Sequence, residues 1–218
     1  MAVEHNHIEE NPVKGIAKRK ESGPRTRYLS DAEVARFLPI LRTEVDKGNP
    51  SAQAILVLFL TGLRRSECLG MRFEHLDLGQ RGTLFIPHPK NGQPRTVPLN
   101  SLAIELLKTI RDQRGHKSEF VFPSKSGSGH MTETRKTLAT LQKRAGIDRP
   151  ITTHDLRRGF SSMLANSGQD LRTIGELIGH RDLATTRRVY AHLENGTLRK
   201  ASETIVTKVE GLLSSQSG

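Results

Sequence analysis

Residues 54–60, AILVLFL, form the longest apolar run in the chain, and they constrain its fold more than any other segment. The run is far too short to span a membrane. The helix predicted around it, residues 52–61, is apolar on nearly every side. A helix without a polar face has to be buried, so this segment belongs to the interior. Gly62 then breaks the pattern, and residues 64–71 read as a short helix.

The flanking sequence supplies partners for that helix. Ser30-Asp31-Ala32-Glu33 has the form of a capping box. Val34, Phe37, Leu38 and Leu41 follow at helical spacing, with Pro39 as a weak point or kink. Residues 84–86 and 96–99 are short strands around Asn91-Gly92, a strong hairpin-turn signal. Residues 101–111 are helical, with Leu102, Ala103, Leu106 and Ile110 on one face. Residues 120–122 form a short extended piece, and Thr132 is the expected cap of a helix reaching about residue 145. Helices are expected over residues 154–166 and 170–178, with another starting near residue 184. A last one, residues 197–213, carries Leu198, Ile205, Val209 and Leu212 as an apolar stripe. The fold class is mainly α with one small antiparallel β-sheet (α+β).

Charge points to the partner. Across 218 residues, 34 Lys and Arg stand against 23 Asp and Glu, a net charge of +11. Such an excess favours polyanions. Aromatic residues are only 4% and Trp is absent, which argues against modules that stack unpaired bases. Duplex DNA tracked by its backbone is the favoured partner. The basic residues Lys14, Lys18, Arg19, Lys20, Arg25 and Arg27 crowd into a stretch with one acid, Glu21, and with Gly15, Gly23 and Pro24. Residues 1–27 therefore read as a basic linker or arm. A single cysteine, Cys68, excludes a disulfide framework and a Cys-rich zinc module and suits a reducing compartment. The N-terminus, MAVEHNHIEE, has no apolar signal region.

Several local patterns suggest chemistry. His154-x-x-Arg157 places an imidazole and a guanidinium on one face near a helix N-terminus, a setting for an anion. Gly179-His180 places a histidine just past a helix end. Tyr190 lies in a helical run beside Arg187 and Arg188, whose charge would lower a phenol pKa. Arg64 emerges where the buried helix stops, and Glu67 stands three residues on to hold it. Lys90 sits at the tip of the hairpin. Taken singly, each has a plain structural reading: a surface helix start, a loop histidine, a rim tyrosine, a surface ion pair, a solvated turn lysine.

Their order and context carry more. TGLRRSECLGMR, HPKNGQPRTVPL, HDLRRGFSSMLA and LIGHRDLATTRRVYAHL resemble the motifs of the tyrosine recombinase (phage integrase) family. The resemblance runs from about residue 29 to residue 193. It implies the tyrosine recombinase catalytic-domain fold over residues 28–218 and a site-specific recombinase that cuts and rejoins DNA through a 3′-phosphotyrosyl link. Arg64 and Arg157 would clamp the scissile phosphate, Tyr190 would attack it, and Lys90 would protonate the departing 5′ oxygen. His154 would handle the tyrosine proton or help hold the phosphate, His180 would donate to the phosphate, and Glu67 would orient Arg64. Arg65, Arg95, Arg158 and Arg187 would join the arm in contacting DNA. Neither metal nor cofactor is implied.

The resemblance further implies a homotetramer on DNA held through the C-terminal helix, a monomer when free, and accessory DNA-bending or directionality factors. The setting would be a bacterial or phage-encoded mobile element in the cytoplasm, associated with the nucleoid. A helical core-binding domain usually precedes the catalytic domain, and the motifs here begin too early to leave room for one. Residues 1–27 then look like the tail of its linker, in a fragment or a minimal relative. Three alternatives stay open: a type IB topoisomerase, a non-catalytic DNA-binding relative, and a metal-dependent transposase or nuclease.

Overall fold

The structure, a computed structural model, describes residues 27–89, 93–115, 118–126 and 129–179. Helix α1 (Asp31–Asp46) opens with the expected capping box: Ser30 Oγ accepts from the Glu33 amide, and the Glu33 carboxylate accepts from the Ser30 amide. The helix runs unbroken through Pro39. Ala35, whose carbonyl loses its partner there, lies on the exposed face, where water replaces the missing N–H. Phe37, Leu41 and Val45 face inward.

Helix α2 (Pro50–Thr61) is the interior helix. Asn49 caps it and Pro50 takes the first turn, where an N–H is not required. Ala52 to Phe59 are all buried. It packs against α1 and against three helices introduced below, α4 (Ser101–Arg114), α5 (Arg135–Arg144) and α6 (Thr153–Asn166). Gly62 ends it in the left-handed region, φ 62°, against the Phe160 ring of α6, where a Cβ would collide with the aromatic carbons. Helix α3 (Arg65–Leu69) starts three residues later and buries Cys68 completely, its Sγ 3.7 Å from the Ala54 carbonyl.

A single 3₁₀ turn (Phe73–His75) leads into a three-stranded antiparallel sheet, β1 (Leu76–Asp77), β2 (Thr83–Ile86) and β3 (Arg95–Pro98), in that spatial order. The hairpin strands were expected; β1 is too short to show alternation in sequence. Leu84 faces Val97 across the ladder, both buried, while Ile86 faces Arg95.

Three expectations need correction. In α4 the buried stripe is Ala103, Leu106, Leu107 and Ile110, and Leu102 is 52% exposed. The i,i+4 row through Ala103 and Leu107 turns the helix so that Leu102 points outward. Helix α5 begins at Arg135, not after Thr132. The Met131 amide donates to the Phe122 carbonyl at 2.7 Å, which holds the chain extended before the helix can start. Of the expected extended piece at residues 120–122, only Phe120 pairs, in an isolated bridge with Arg72; Val121 and Phe122 bend there so that both side chains enter the core.

Helix α6 packs on α7 (Leu171–Ile178), where Ala165, Ile174 and Ile178 form a small second core with Phe160, Leu164 and Leu171. Gly179 closes α7 in the left-handed conformation, φ 69°. Among the described residues no helix is long and apolar enough to cross a membrane. The expected hairpin turn at residues 91–92, the helix starting near residue 184 and the helix at 197–213 lie outside the described residues.

Candidate active site

Four elements end or begin at one place: the C-terminus of α2, the start of α3, the start of β3 and the C-terminus of α7. Arg64 sits in the extended link that caps α3 (φ −65°, ψ 146°). Glu67 turns back from the first turn of α3 and accepts the Arg64 amide at 3.0 Å and Arg64 Nη1 at 3.1 Å. The other nitrogen of that guanidinium, Nη2, donates to the Gly179 carbonyl at 2.8 Å. Arg64 is thereby held from both ends, across a sequence gap that only the fold closes.

Arg157 comes from α6. Its helix is capped by Thr152 and Asp155, with the Thr152 amide and Oγ1 each 2.8 Å from Asp155 Oδ2. The Arg157 side chain is buried. Nη1 donates to the Gly62 carbonyl at 2.8 Å and Nη2 to the Ile178 carbonyl. Both arginines thus lie against carbonyls at the C-terminus of α7, which carry the negative end of the helix dipole. Burying a guanidinium requires such partners.

His154 stands one turn before Arg157 and is exposed to solvent. Where the protein covers it, burial disfavours the charged ring, and the Arg158 and Arg157 guanidiniums push in the same direction against the opposing Asp155 carboxylate. Its pKa therefore falls below the ordinary histidine value of 6.5, and at neutral pH the ring is mainly neutral, fit to accept a proton.

Glu67 is the hub. Its side chain is 3% exposed. Burial pushes the carboxyl up, but the fork from Arg95, the Arg64 amide and the two positive charges outweigh it, so its pKa lies below the usual range. Arg95 reaches it from β3 as a bidentate pair, Nη1 to Oε1 at 2.9 Å and Nη2 to Oε2 at 3.0 Å. Two guanidiniums share one carboxylate, so this trio keeps a positive charge.

Of the residues singled out from sequence, the fold therefore sets Arg64 and Arg157 against the turn at residues 178–179, with Glu67 on Arg64 and His154 within reach of both guanidinium charges. Arg95, expected on DNA, joins them through Glu67. Arg65 is exposed at the start of α3, beside the site. Arg158 bonds Asp155 at 3.2 Å. Arg27, expected in the basic arm, grips Glu33 at 2.6 and 2.9 Å and the Arg149 carbonyl at 3.0 Å. Lys90, His180, Arg187 and Tyr190 lie outside the described residues, as do Lys14, Lys18, Arg19, Lys20 and Arg25. Sequence reasoning missed the carbonyls of Gly62, Ile178 and Gly179 as arginine acceptors. The two glycines that end helices were the available signal, since a left-handed cap turns its carbonyls out of the helix ladder.

Residues 27–196 match the sequence profile of the phage integrase family. The chain belongs to that family. This integrase-family chain is 30% identical over 205 residues to the tyrosine recombinase XerC of Oceanobacillus iheyensis, covering 89% of itself and 66% of that relative. It is 31% identical over 208 residues to the tyrosine recombinase XerD of Shewanella oneidensis, with 91% and 67% covered. It thus spans about two thirds of the length of these curated relatives. Among solved structures it is similar to the XerA recombinase (TM-score 0.65, 25% identity, 85% of this chain and 66% of that one). It is also similar to the XerH site-specific recombinase bound to a palindromic difH substrate in a post-cleavage complex (TM-score 0.69, 26% identity, 87% and 57% covered). The mainly helical fold with its three-stranded sheet is that of the tyrosine recombinase catalytic domains.

Proposed function

We propose that this chain is the catalytic part of a site-specific DNA recombinase that breaks and rejoins strands through a 3′-phosphotyrosyl link to Tyr190. The observation that carries the proposal is the meeting of Arg64 and Arg157 at the end of α7, directly before His180 in sequence, with His154 within range of their charge. Two fixed guanidiniums suit the non-bridging oxygens of a phosphodiester. Charge on those oxygens grows in the transition state, so the arginines stabilise it more than the bound substrate. Because both are oriented by backbone carbonyls and a buried carboxylate, little reorganisation is needed when the phosphate arrives.

The Tyr190 hydroxyl attacks the phosphorus in line, its oxygen forming the new P–O bond while the bond to the 5′ oxygen breaks. Neutral His154 takes the phenolic proton or hydrogen-bonds the phosphate, and Lys90 gives a proton to the departing 5′ oxygen. His180 donates to the phosphate. Attack by a 5′ hydroxyl of a second strand reverses the step and releases the tyrosine. Residues 28–218 form the catalytic domain and residues 1–27 a basic linker whose Lys14, Lys18, Arg19, Lys20 and Arg25, with Arg65, Arg158 and Arg187, follow the DNA backbone. The XerH relative was solved bound to a palindromic difH substrate in a post-cleavage complex, which supports duplex DNA as the partner here. Assembly as a tetramer through residues 197–213, a monomeric free state, accessory DNA-bending or directionality factors, and action in the cytoplasm on a mobile element complete the reading.

The test is covalent capture. A library of nicked duplexes with a randomised core is incubated with the chain, and adducts are isolated on a denaturing gel and sequenced. The expected result is a protein–DNA adduct on a defined duplex that disappears in Tyr190→Phe. Tight DNA binding with no adduct on any duplex overturns the catalytic reading.

A further inference from the structure

Arg95, expected on DNA, is turned into the protein. It is the first residue of β3, yet its guanidinium turns inward and is only 18% exposed. Both terminal nitrogens are committed to Glu67. Its Nε is buried with no acceptor among the described residues, so the side chain gives up one donor to hold this pose. The opposite side of the guanidinium lies against Gly179. A Cβ there would fall 2.5 Å from Cζ and 2.6 Å from Nε, inside the guanidinium itself. Arg95 thus fills a slot walled by Glu67 on one side and by the turn after α7 on the other. That turn offers its carbonyl to Arg64 and is followed at once by His180.

We infer that Arg95 is a positioning residue for the reaction: it neutralises Glu67 so that the charge of Arg64 stays available to the phosphate, and it braces the Gly179 turn against which Arg64 is set. This inference rests on the recombinase reading above. The physical reason is charge balance. Glu67 alone would form a closed pair with Arg64 and cancel most of its field at the phosphate. A bidentate Arg95 satisfies the carboxylate, which then serves Arg64 as an oriented acceptor. Lysine has the charge but not the fork, so it cannot occupy both oxygens in one plane.

The test uses the duplex captured by the wild-type chain from the randomised nicked library. Single-turnover cleavage by Arg95→Ala is expected to fall about 10²-fold. Its affinity for the same uncleaved duplex, and the dependence of that affinity on salt, are expected to stay unchanged. A residue that contacted a backbone phosphate would instead lower the salt slope by about 0.9. Arg95→Lys is expected to lie between wild type and Arg95→Ala. The double variant Arg95→Ala with Glu67→Gln is expected to cleave about ten-fold faster than Arg95→Ala, because removing the unbalanced carboxylate frees Arg64. A residue that only props up the fold would show no such recovery.

Cleavage by Arg95→Ala and Arg95→Lys within about three-fold of wild type overturns the inference. So does a reduced salt slope, or a double variant no faster than Arg95→Ala. If Arg95→Ala does not fold, the cleavage rate of Arg95→Lys and its further change on adding Glu67→Gln decide the matter in the same way. A wild-type chain that forms no adduct with any duplex removes the recombinase reading and this inference with it, an outcome separate from an active wild type with active variants.

Discussion

Glu33 and Glu67 are built alike and used differently. Each is the third residue of a helix, each accepts the amide of its N-cap residue, and each is gripped by a bidentate arginine from outside the helix, Arg27 for Glu33 and Arg95 for Glu67. At Glu33 the remaining partner is the Ser30 hydroxyl, so the cluster is one acid and one base and closes on itself. At Glu67 the remaining partner is a second guanidinium, Arg64. The first arrangement ties the start of the described chain to α1 and, through the Arg149 carbonyl, to the loop before α6. The second leaves a net positive charge beside the end of α7, where the proposed function sets the phosphate. The lesson is that a capping carboxylate closes on itself when its cap residue is neutral and leaves a net positive charge when its cap residue is a cation.

Matched substitutions test this contrast. Glu67→Ala is expected to slow single-turnover cleavage about 10²-fold, while Glu33→Ala leaves the rate within about three-fold of wild type. Equal losses in both would break the contrast. Gly62→Ala tests the backbone beneath Arg64 and Arg157. A methyl at φ 62° and into the Phe160 ring is expected to cost about 2–3 kcal/mol in denaturant unfolding, and it also shifts the carbonyl that holds Arg157. A loss under about 0.5 kcal/mol would show that α2 and α6 do not press together there.

On the stability side, Glu33→Ala is expected to cost about 1–2 kcal/mol. Arg27 holds the Glu33 carboxyl at about 2, below its ordinary 4.5. A depressed acid stabilises the fold fully above its unfolded pKa and loses that contribution as pH falls toward the folded one. Melting temperature should therefore drop between pH 4.5 and about 2, and the Glu33→Ala variant should lack that share of the drop. Identical pH profiles would remove Arg27–Glu33 from the account. The smallest effect is expected at the exposed Arg172–Glu176 pair on α7: Arg172→Ala should change stability by less than about 0.5 kcal/mol.

What could be read from sequence was what the chain decides locally. The Ser30 box, the stop at Gly62, the left-handed end at Gly179 and the two hairpin strands are all set by residues within a few positions of one another. Arg64 with Glu67, and His154 with Arg157, were legible because helical spacing alone brings them together. The junction of Arg95 with Glu67 was not, because those residues are joined only when β3 folds back beside α3. The same holds for the arginines resting on carbonyls of residues 62, 178 and 179, since backbone acceptors carry no side-chain signature. Leu102 was misread because periodicity marks a face without fixing the direction that face takes against a neighbour. Family membership rests on the motif order, which needs no contact to be visible.

The seclusion of Cys68 has a practical consequence. It is the only sulfhydryl in the chain, it is wholly enclosed beneath α3, and burial raises its pKa, so the thiolate that reacts with maleimides and iodoacetamides is scarcely formed. The native chain therefore already behaves as a thiol-silent background. A cysteine introduced at an exposed position such as Leu102 would take a fluorophore alone, and DNA engagement could be followed by fluorescence without first rebuilding the interior around a removed sulfur.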